Sequence, residues 1–379
     1  MRKIRVLQLI WGMNEGGAQS IVKDYSIGID KNRFEIIVVT IIPLFSKAYI
    51  DDLRRDRVPI YSVYKHWNKV SKFVHKLFGD RFIKNRLYKI IKNTKPDLIH
   101  VHVYGLKHIA KIKMDNNVRI IYTCHGDPDR YFPGPQSEDY LAAKDLLNKR
   151  KLTIIALHKK MQNRINEIFD FSGTIVLGNG VRIEKFLPEK IKKSKEELRK
   201  SIGVPKDSYV VGHIGRFVKV KNHSFLLKVF SNCVSLKDNC HLLLIGSGEL
   251  KEDIIENSNI LGIADKMTIL SNRNDIPELF KCMDIFVLPS ITEGFPVTLV
   301  EAQAAGLPCI VSDAINEEAV LTSNVKILSL NGGIDVWAEA IIKFCKSNET
   351  YNCVNKYDLN NIIGSLETIY SNLVNDKKG

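Results

Sequence analysis

Short apolar runs of strand length alternate with helix-spaced segments along almost the whole chain. Because the runs are continuously apolar and rich in Val and Ile, both faces of each strand should be covered, as in a parallel sheet between helical layers. The pattern predicts an α/β protein with two doubly wound domains in tandem. The runs of the first half are Ile4 to Ile10, Phe34 to Ile42, Val58 to Val63, Asp97 to Val103, Val118 to Thr123, Leu152 to Leu157 and Thr174 to Leu177. Those of the second half are Tyr209 to Ile214, His241 to Ile245, Met267 to Leu270, Asp284 to Leu288, Pro308 to Ser312 and Val325 to Leu328.

The middle of the chain carries the signals of a domain boundary. Gly178 and Gly180 follow the last apolar run of the first half, and Pro188 precedes a charged stretch. Glycine and proline interrupt regular structure, so we place the hinge near residues 178–192. The predicted domains are residues 1–185 and 186–357.

The pattern of residues 358–375 predicts a last helix, which should pack on one of the domains. One option is that it returns to the first domain. Its apolar positions at helical spacing are Leu359, Ile362, Ile363, Leu366, Ile369 and Leu373.

Composition and charge narrow the class of protein. The chain has 379 residues, 45% hydrophobic and 26% charged, which excludes disorder as its main state. Its 56 Lys and Arg against 42 Asp and Glu give a net charge of +14. Residues 1–185 hold 34 basic and 18 acidic residues, net +16, which leaves 22 and 24, net −2, for the rest. The excess positive charge is therefore confined to the first domain.

The surroundings of the cysteines and the lengths of the apolar runs indicate the cellular compartment of the protein. The cysteines form no CxxC pair and most lie in apolar runs, which favours buried thiols in a reducing compartment. The first residues resemble a weak signal peptide without a cleavage site, and a buried first strand fits better. No run approaches the roughly 18 apolar residues that span a bilayer, so we predict a cytoplasmic protein. The cysteines are Cys124, Cys233, Cys240, Cys282, Cys309, Cys345 and Cys353.

Ligands of open parallel sheets bind beyond the carboxyl ends of the strands, so the residues that follow each run are candidates for a site. Gly16 and Gly17 follow the first run. Two glycines before a helix let backbone amides approach a phosphate or a sugar at the positive end of the helix dipole. A tight turn that requires glycine is the alternative.

His125 follows the fifth run, where it would face an interdomain crevice. It suits a hydrogen bond to a substrate hydroxyl or the stabilisation of developing charge; a structural histidine is the alternative. Asp127 and Asp129 have a spacing that suits a divalent cation on a diphosphate, but Pro128 between them and the frequency of loop acids favour no metal site.

Arg216 and Lys221 follow the first strand of the second domain, with Gly215 beside the arginine. Two cations at a strand end can converge on a diphosphate without a metal. A solvated basic loop is the alternative. After the next strand, Gly246 and Gly248 lack the third glycine of GxGxxG, so a dinucleotide fingerprint is not supported.

The segment 289–308 carries the most specific pattern. Glu293 follows a strand end, Pro296 suits the first turn of a helix, and Gly306 suits its end. Glu301 lies inside this helix among Val and Ala residues. An acid on a nearly apolar helix indicates a partner, such as two vicinal hydroxyl groups.

These motifs resemble the signature of the retaining glycosyltransferase family 4, which has the GT-B fold. The resemblance rests on Glu293 and Glu301 with seven residues between them, and on EAQAAGLPCIVSD, which begins at Glu301. The segments GRFVKVKNH, NGVRIEKF, CHG and GGAQ also lie where the family has its motifs, so the resemblance covers nearly the whole chain. It implies two Rossmann-like domains that face an interdomain cleft, the first for the acceptor and the second for the nucleotide-sugar donor, with the last helix returning to the first domain.

The resemblance also implies roles for single residues. Arg216 and Lys221 would bind the donor diphosphate, Glu301 the ribose hydroxyls, and Glu293 the transferred sugar. Gly16 and Gly17 would approach the phosphates, and His125 would lie near the donor sugar. Backbone amides along Gly294, Phe295, Pro296 and Val297 would help to hold the sugar and the phosphate. The implied catalytic set is His125, Glu293, Arg216 and Lys221.

Family members are generally independent of metals, so no metal and no cofactor are expected beyond the nucleotide-sugar substrate. Gln19 stands where many members carry Glu, and the segment before Glu317 and Glu318 lacks the paired glycines frequent in the family. We therefore assign no role to those two acids.

The implied reaction moves a sugar from a nucleoside diphosphate, expected to be uridine-linked, to a saccharide hydroxyl with retention. The charge on the leaving diphosphate would be met by Arg216, Lys221 and helix-terminal amides. A non-hydrolysing nucleotide-sugar epimerase and a non-enzymatic polyanion-binding or membrane-binding protein are the alternatives. No recognised module favours nucleic acid as a partner.

The stretch from Lys65 to Lys95 carries ten basic residues and one acid, Asp80, interleaved with Trp67, Phe73, Phe78 and other apolar side chains. Such a stretch can lie on anionic lipid; a solvated helix with its apolar side in the core is the alternative. An anionic membrane surface would fit a lipid-diphosphate-linked acceptor in capsule or exopolysaccharide assembly. We therefore predict a cytoplasmic protein held peripherally at the inner face of the cell membrane.

Overall fold

The computed structural model describes residues 2–14, 16–344 and 351–375. The chain divides into two compact units. Unit 1 comprises Met1–Gly180 together with Leu359–Gly379, and unit 2 comprises Val181–Asp358.

A seven-stranded parallel sheet forms the centre of unit 1, with the strand order β3-β2-β1-β4-β5-β6-β7. Each strand corresponds to one of the predicted apolar runs, several shortened by one or two residues at an end. The strands are β1 (Ile4–Ile10), β2 (Phe34–Thr40), β3 (Ile60–Ser62), β4 (Leu98–His102), β5 (Arg119–Thr123), β6 (Leu152–Ala156) and β7 (Ile175–Val176).

The helices of unit 1 include the last helix of the chain. Its Glu367 carboxylate accepts a hydrogen bond from the Asp30 amide at 2.7 Å and pairs with Arg33 at 3.0 Å. This helix therefore completes the first unit, as the resemblance implies. The helices are α1 (Gly17–Gly28), α2 (Lys47–Arg55), α3 (Lys69–Thr94), α4 (Leu106–Ala110), α5 (Pro128–Tyr131), α6 (Glu138–Asn148), α7 (Lys159–Phe169) and α14 (Leu359–Asn375).

Unit 2 has a six-stranded parallel sheet with the order β10-β9-β8-β11-β12-β13. Phe217, Phe230 and Trp337 are among the buried side chains of its core. The strands are β8 (Tyr209–Ile214), β9 (Cys240–Ile245), β10 (Met267–Leu270), β11 (Ile285–Leu288), β12 (Cys309–Ser312) and β13 (Val325–Leu328). The helices are α8 (Lys195–Ser201), α9 (His223–Leu236), α10 (Lys251–Ile260), α11 (Ile276–Cys282), α12 (Val297–Ala304) and α13 (Ile334–Lys343).

The boundary between the units lies at Gly180, whereas residue 185 was predicted to end the first domain. The difference has a local cause. The Val181 amide donates to the Tyr357 carbonyl at 2.8 Å, and Val181 forms an isolated parallel bridge with Asp358. These bonds bind the segment that follows Gly180 to the second unit.

The cysteines whose side chains are described are free and buried, as expected from their apolar surroundings. They are Cys124, Cys233, Cys240, Cys282 and Cys309. Cys345 lies outside the described residues, and only the backbone of Cys353 is described. Within the described ranges, every helix is too short or too polar to cross a membrane.

Candidate functional site

The candidate donor site of unit 2 lies at the carboxyl ends of β8 and β11, which are neighbours in the sheet. The turn after β8 carries Arg216 and Lys221, and the loop after β11 carries Glu293. A backbone hydrogen bond of 2.8 Å from the Ile291 amide to the Val220 carbonyl joins the two loops. The topology thus brings two distant sequence motifs to one edge of the sheet.

Lys221 and Glu293 form an ion pair at this edge. The Lys221 Nζ donates to Glu293 Oε1 at 2.5 Å, and the Ser290 hydroxyl donates to the same oxygen at 2.6 Å. The side chains are only 15% and 11% exposed, so solvent screens the pair less than a surface ion pair. The Ser312 hydroxyl in turn donates to the Ser290 carbonyl at 2.6 Å. Sequence reasoning missed both serines, because no pattern distinguishes them from other small polar residues at strand ends.

Arg216 differs from Lys221 in its surroundings. Its side chain is exposed, and among the described residues it takes part in no ion pair. The next residue, Phe217, is fully buried and anchors the turn, with its amide donating to the Ser247 carbonyl at 2.8 Å. An uncommitted guanidinium on a fixed turn is suited to bind a phosphate group.

The two glycines after β9 have a packing function. A side chain at Gly248 would meet the Phe217 carbonyl, and the φ of Gly248 is 157°. A side chain at Gly246 would meet the Gly215 carbonyl. Both glycines therefore allow two backbone segments to approach each other, which agrees with the absence of a dinucleotide fingerprint.

The loop before α12 supplies fewer free amides than predicted. The helix begins at Val297, so Pro296 is its N-cap and not a residue of its first turn. Proline has no amide hydrogen, and the Val297 amide donates to the Phe295 carbonyl at 2.9 Å. Of the four predicted positions, only Gly294 and Phe295 have amides that bond no other described residue. The amides that could bind an anion here are therefore those of the two residues before the proline.

The two polar residues inside α12 have different environments. Gln303 is buried; its amide nitrogen donates to the Ala319 carbonyl at 2.8 Å, and its Oε1 accepts from the Leu321 amide at 2.7 Å. Glu301 is partly exposed in the second turn of the helix. Gln303 thus serves the fold, whereas Glu301 is a partly exposed acid on the same helix.

Two buried histidines lie beside the turn that carries Arg216. His213 Nδ1 donates to the Val287 carbonyl at 2.8 Å, and the centroid of its ring lies 4.9 Å from that of the His223 ring. Burial lowers the pKa of His223 to about 4 and that of His213 well below 6.5. Both rings are therefore uncharged at neutral pH. Neither was singled out from the sequence.

In unit 1, the two predicted glycines at the start of α1 are not equivalent. Gly16 is the N-cap, and a side chain there would meet the Gln19 side chain. Gly17 begins the helix, and a side chain there would meet nothing within 4 Å. Open space for a ligand therefore lies at Gly17, while Gln19 covers Gly16.

His125 follows β5, and its Nε2 lies 2.9 Å from His102 Nδ1. The neighbouring acids have structural partners. Asp127 caps α5 by accepting from the Asp129 amide, and Asp129 pairs with Arg164 at 2.6 Å. The hydrogen bond from Arg164 lowers the pKa of Asp129. Both carboxylates thus have partners within unit 1.

A cavity of about 550 Å³ lies away from these residues, beside the amino ends of the unit 2 strands. Tyr209, Phe280 and Phe344 contribute to its walls. Its one carboxylate, Asp284, is paired with Lys195 at 2.5 Å and Arg199 at 2.7 Å. The charges in its wall are thus satisfied, and the cavity carries no group for the expected chemistry.

Comparison with known proteins covers both units. A family model for glycosyl transferases group 1 matches residues 194–359, and one for glycosyltransferase family 4 matches residues 15–185. A Bacillus subtilis protein named as the glycosyltransferase EpsF is 29% identical over 388 residues, covering 97% of this chain and 96% of its own. The Escherichia coli UDP-Gal:alpha-D-GlcNAc-diphosphoundecaprenol alpha-1,3-galactosyltransferase is 29% identical over 297 residues, 75% of each chain.

Solved structures resemble the whole chain in fold. HepE of Anabaena, in complex with UDP and glucose, superposes with a TM-score of 0.77 at 18% identity, covering 97% of this chain and 99% of its own. WaaG, a glycosyltransferase involved in lipopolysaccharide biosynthesis, gives a TM-score of 0.66 at 15% identity, with 93% and 98% covered. These likenesses confirm the predicted GT-B fold.

Proposed function

The chain belongs to the group 1 and family 4 glycosyltransferases, and we propose that it moves a sugar from a uridine diphosphate sugar to a hydroxyl of a lipid-diphosphate-linked saccharide, with retention. Relatives named for EpsF and for the capsular protein CapM support a place in surface polysaccharide biosynthesis.

The observation that carries this proposal is the Lys221–Glu293 pair beside the uncommitted Arg216. A departing nucleoside diphosphate gains negative charge, and fixed cations at that position stabilise the transition state most. Lys221 is held in place by the Glu293 carboxylate, which also accepts a hydrogen bond from the Ser290 hydroxyl. We assign Lys221 and Arg216 to the diphosphate and Glu293 to the transferred sugar.

Glu301 is the proposed ligand of the ribose. An ionised carboxylate has two oxygens and accepts hydrogen bonds from two vicinal hydroxyl groups. It lies eight residues after Glu293 on α12, so one loop and helix supply contacts to both the sugar and the nucleoside. The amides of Gly294 and Phe295 precede α12 and suit an anionic oxygen.

Two relatives support uridine as the base and a lipid-linked acceptor. HepE has been solved with UDP-glucose, and the Escherichia coli galactosyltransferase uses UDP-galactose and an undecaprenol-linked acceptor. Retention follows the reaction type of the family. Metal independence is a part of the proposal that agrees with cations at the diphosphate position.

Helix α3 supports a membrane surface as the place where the acceptor is met. Its first half, from Lys69 to Phe78, exposes large apolar side chains: Val70 is 70% exposed, Phe73 62% and Phe78 63%. Its second half buries Ile83, Leu87 and Ile91 in the core of unit 1. The helix departs from helical geometry at Phe78, so the two halves have separate faces. The alternative of an apolar side wholly in the core therefore holds only for the second half.

Charge favours anionic lipid as the occupant of this face. Lys69, Lys72 and Lys76 are exposed on the same half-helix. Asp80, the one acid of the stretch, is bound by Lys111 at 3.0 Å, so it offers these lysines little competition. Exposed aromatic rings among cations are typical of helices that lie in a membrane interface.

A donor panel tests the function. We expect UDP and one UDP-sugar to raise the melting temperature of the purified chain, because specific ligands stabilise the folded state. The same UDP-sugar should be consumed only when a lipid-diphosphate-linked saccharide is added. Consumption to an isomeric UDP-sugar without acceptor would instead identify an epimerase, and no stabilisation by any nucleotide would contradict the proposal.

A further inference from the structure

A continuous series of hydrogen-bonded side chains crosses the sheet of unit 1 from His125 to the last helix. His125 Nε2 lies 2.9 Å from His102 Nδ1, and His102 Nε2 lies 2.6 Å from Gln8 Oε1. The Gln8 amide nitrogen donates to the Tyr370 hydroxyl at 3.0 Å, and that hydroxyl lies 2.7 Å from His100 Nδ1. Strands β1 and β4, helix α14 and the loop after β5 thus meet in one polar row.

The row lies where apolar side chains are usual. Gln8 on β1, His100 and His102 on β4, and Tyr370 on α14 are all fully buried. Buried polar groups in the centre of a parallel sheet are costly unless each has a partner. In this series the neighbouring side chains are hydrogen-bond partners of one another. The series ends with His100 Nε2, which lies 2.7 Å from the Thr123 hydroxyl.

The three histidines of the series are uncharged at neutral pH. Burial lowers the pKa of His100 to about 3, that of His125 to about 4, and that of His102 well below 6.5. A neutral imidazole has one N–H and one bare nitrogen. Each hydrogen bond along the row therefore restricts which nitrogen carries the proton in the next ring.

Gln8 sets the direction of the series. Its carbonyl oxygen faces His102, so His102 carries its proton on Nε2 and accepts through Nδ1. His125 must then donate from Nε2, which leaves its Nδ1 bare. With the amide in this orientation, the Tyr370 hydroxyl accepts from the Gln8 amide nitrogen and donates its own proton to His100 Nδ1.

The bare nitrogen of His125 has no other use within the described structure. His125 Nδ1 is buried and has no hydrogen-bond partner among the described residues. A buried acceptor in that state is unfavourable unless a ligand supplies the hydrogen bond. We propose that Gln8, His102 and Tyr370 are positioning residues that hold His125 in the Nε2–H tautomer, so that Nδ1 accepts a hydrogen bond from a hydroxyl of the bound sugar. This proposal rests on the glycosyltransferase function above.

Nitrogen NMR of the full chain tests the tautomer without any substrate. In protein labelled with ¹⁵N-histidine at neutral pH, the signals of His125 are identified by their loss in His125→Asn. We expect an unprotonated Nδ1 and a protonated Nε2. The opposite tautomer in the unmodified chain would overturn the proposal, whether or not any sugar is transferred.

Tyr370→Phe tests the remote end of the series. The substitution removes only the hydroxyl and keeps the ring, whose centroid lies 6.0 Å from that of the Phe34 ring. We expect a mixture of His125 tautomers in which the Nε2–H form falls to roughly a tenth to a half, and a fall in kcat by the same factor, roughly two- to tenfold, with KM for the UDP-sugar unchanged. Gln8→Leu should have the same effect.

Tyr25→Phe is the matched control. Tyr25 is a buried tyrosine of α1 whose hydroxyl bonds the backbone of Gly180, outside the series. We expect it to leave the His125 tautomer and kcat unchanged. If Tyr370→Phe and Gln8→Leu fold, as circular dichroism would show, and leave both quantities as in the unmodified chain, the positioning role is wrong. If no donor is turned over, the proposed function fails while the NMR result still decides the tautomer.

Discussion

Lys221 and Glu293 are 72 positions apart in the sequence, yet the lysine ammonium and the glutamate carboxylate are in hydrogen-bond contact at 2.5 Å. The contact holds the lysine side chain at the carboxyl end of β8 in the absence of a ligand. A cation whose position is fixed beforehand loses little conformational entropy when a phosphate binds. The pair also gives the first test of the site.

Replacing either partner should abolish most of the transfer activity. For Lys221→Ala we expect kcat/KM to fall by about a hundredfold or more, the usual cost of removing one fixed charge stabiliser. For Glu293→Ala we expect a similar fall in kcat/KM. The fall in the double variant should be smaller than the product of the two single falls, because each single change already removes the contact that the two residues share. Lys219→Ala, an exposed lysine of the same turn, is the control. Equal losses in Lys219→Ala and Lys221→Ala would contradict the assignment.

The proposed contact of Glu301 with the ribose is tested by comparing UDP with 2′-deoxy-UDP. The unmodified chain should bind UDP more tightly, by roughly ten- to a hundredfold, because a hydrogen bond to a charged group contributes about 1.5–3 kcal/mol. Glu301→Ala should bind both nucleotides alike and weakly, as measured by isothermal titration. Glu256→Ala, at an exposed acid of α10, should retain the difference. Retention of the difference in Glu301→Ala would exclude this role.

Membrane binding should depend on the first half of α3 alone. Changing Lys69, Lys72 and Lys76 to Glu should lower the binding constant for vesicles that contain phosphatidylglycerol by at least roughly a hundredfold, at about 1 kcal/mol per cation lost. Sedimentation with the vesicles measures this constant. The same change at Lys84, Lys89 and Lys92, exposed positions of the second half, alters the net charge equally. Equal losses in the two triple variants would show a general charge effect and no docking face.

Acid should destabilise unit 2 through its buried histidines. The pKa of His223 is about 4 in the folded chain, below its usual value of 6.5. Between these values the unfolded chain binds more protons, so stability falls as the pH drops, by up to about 1.4 kcal/mol per pH unit for one histidine. In urea unfolding at pH 7 and pH 5, His223→Leu should flatten this dependence. His66→Leu, at an exposed position, should not.

The sheets could be predicted from the sequence because their strands are buried on both faces. In the sequence such strands form unbroken apolar runs, and the thirteen predicted runs correspond to the thirteen strands of the described residues. The ends of the strands were predicted less accurately. For example, the run from Phe34 to Ile42 corresponds to the shorter strand Phe34–Thr40. Strand ends depend on where a neighbour stops pairing, and the run itself does not contain that information.

The site was predictable in part. Lys221 and Glu293 were found because each follows a strand end, and the sheet order brings their loops together. The free amides before α12 were overestimated, because the Val297 amide bonds backward to Phe295 and this depends on the local turn. Roles of the individual residues at both sites remain predictions.

The polar row of unit 1 could not have been found from patterns. His100 and His102 lie in an apolar run where isolated polar residues read as exceptions, and Gln8 lies in another. Tyr370 was not among the apolar positions used to predict the last helix, yet it is fully buried, whereas Ile369 is partly exposed. Only the tertiary structure joins residues 8, 100 and 370.

Unit 1 is built from two separate segments of the chain, whereas unit 2 is one continuous segment. Helix α14 of unit 1 is therefore translated after unit 2. Until then, Gln8 and His100 lack the tyrosine that joins them. A chain that stops before Tyr370 would contain all of unit 2 but an incomplete histidine series. We therefore expect transfer activity only after helix α14 has been translated.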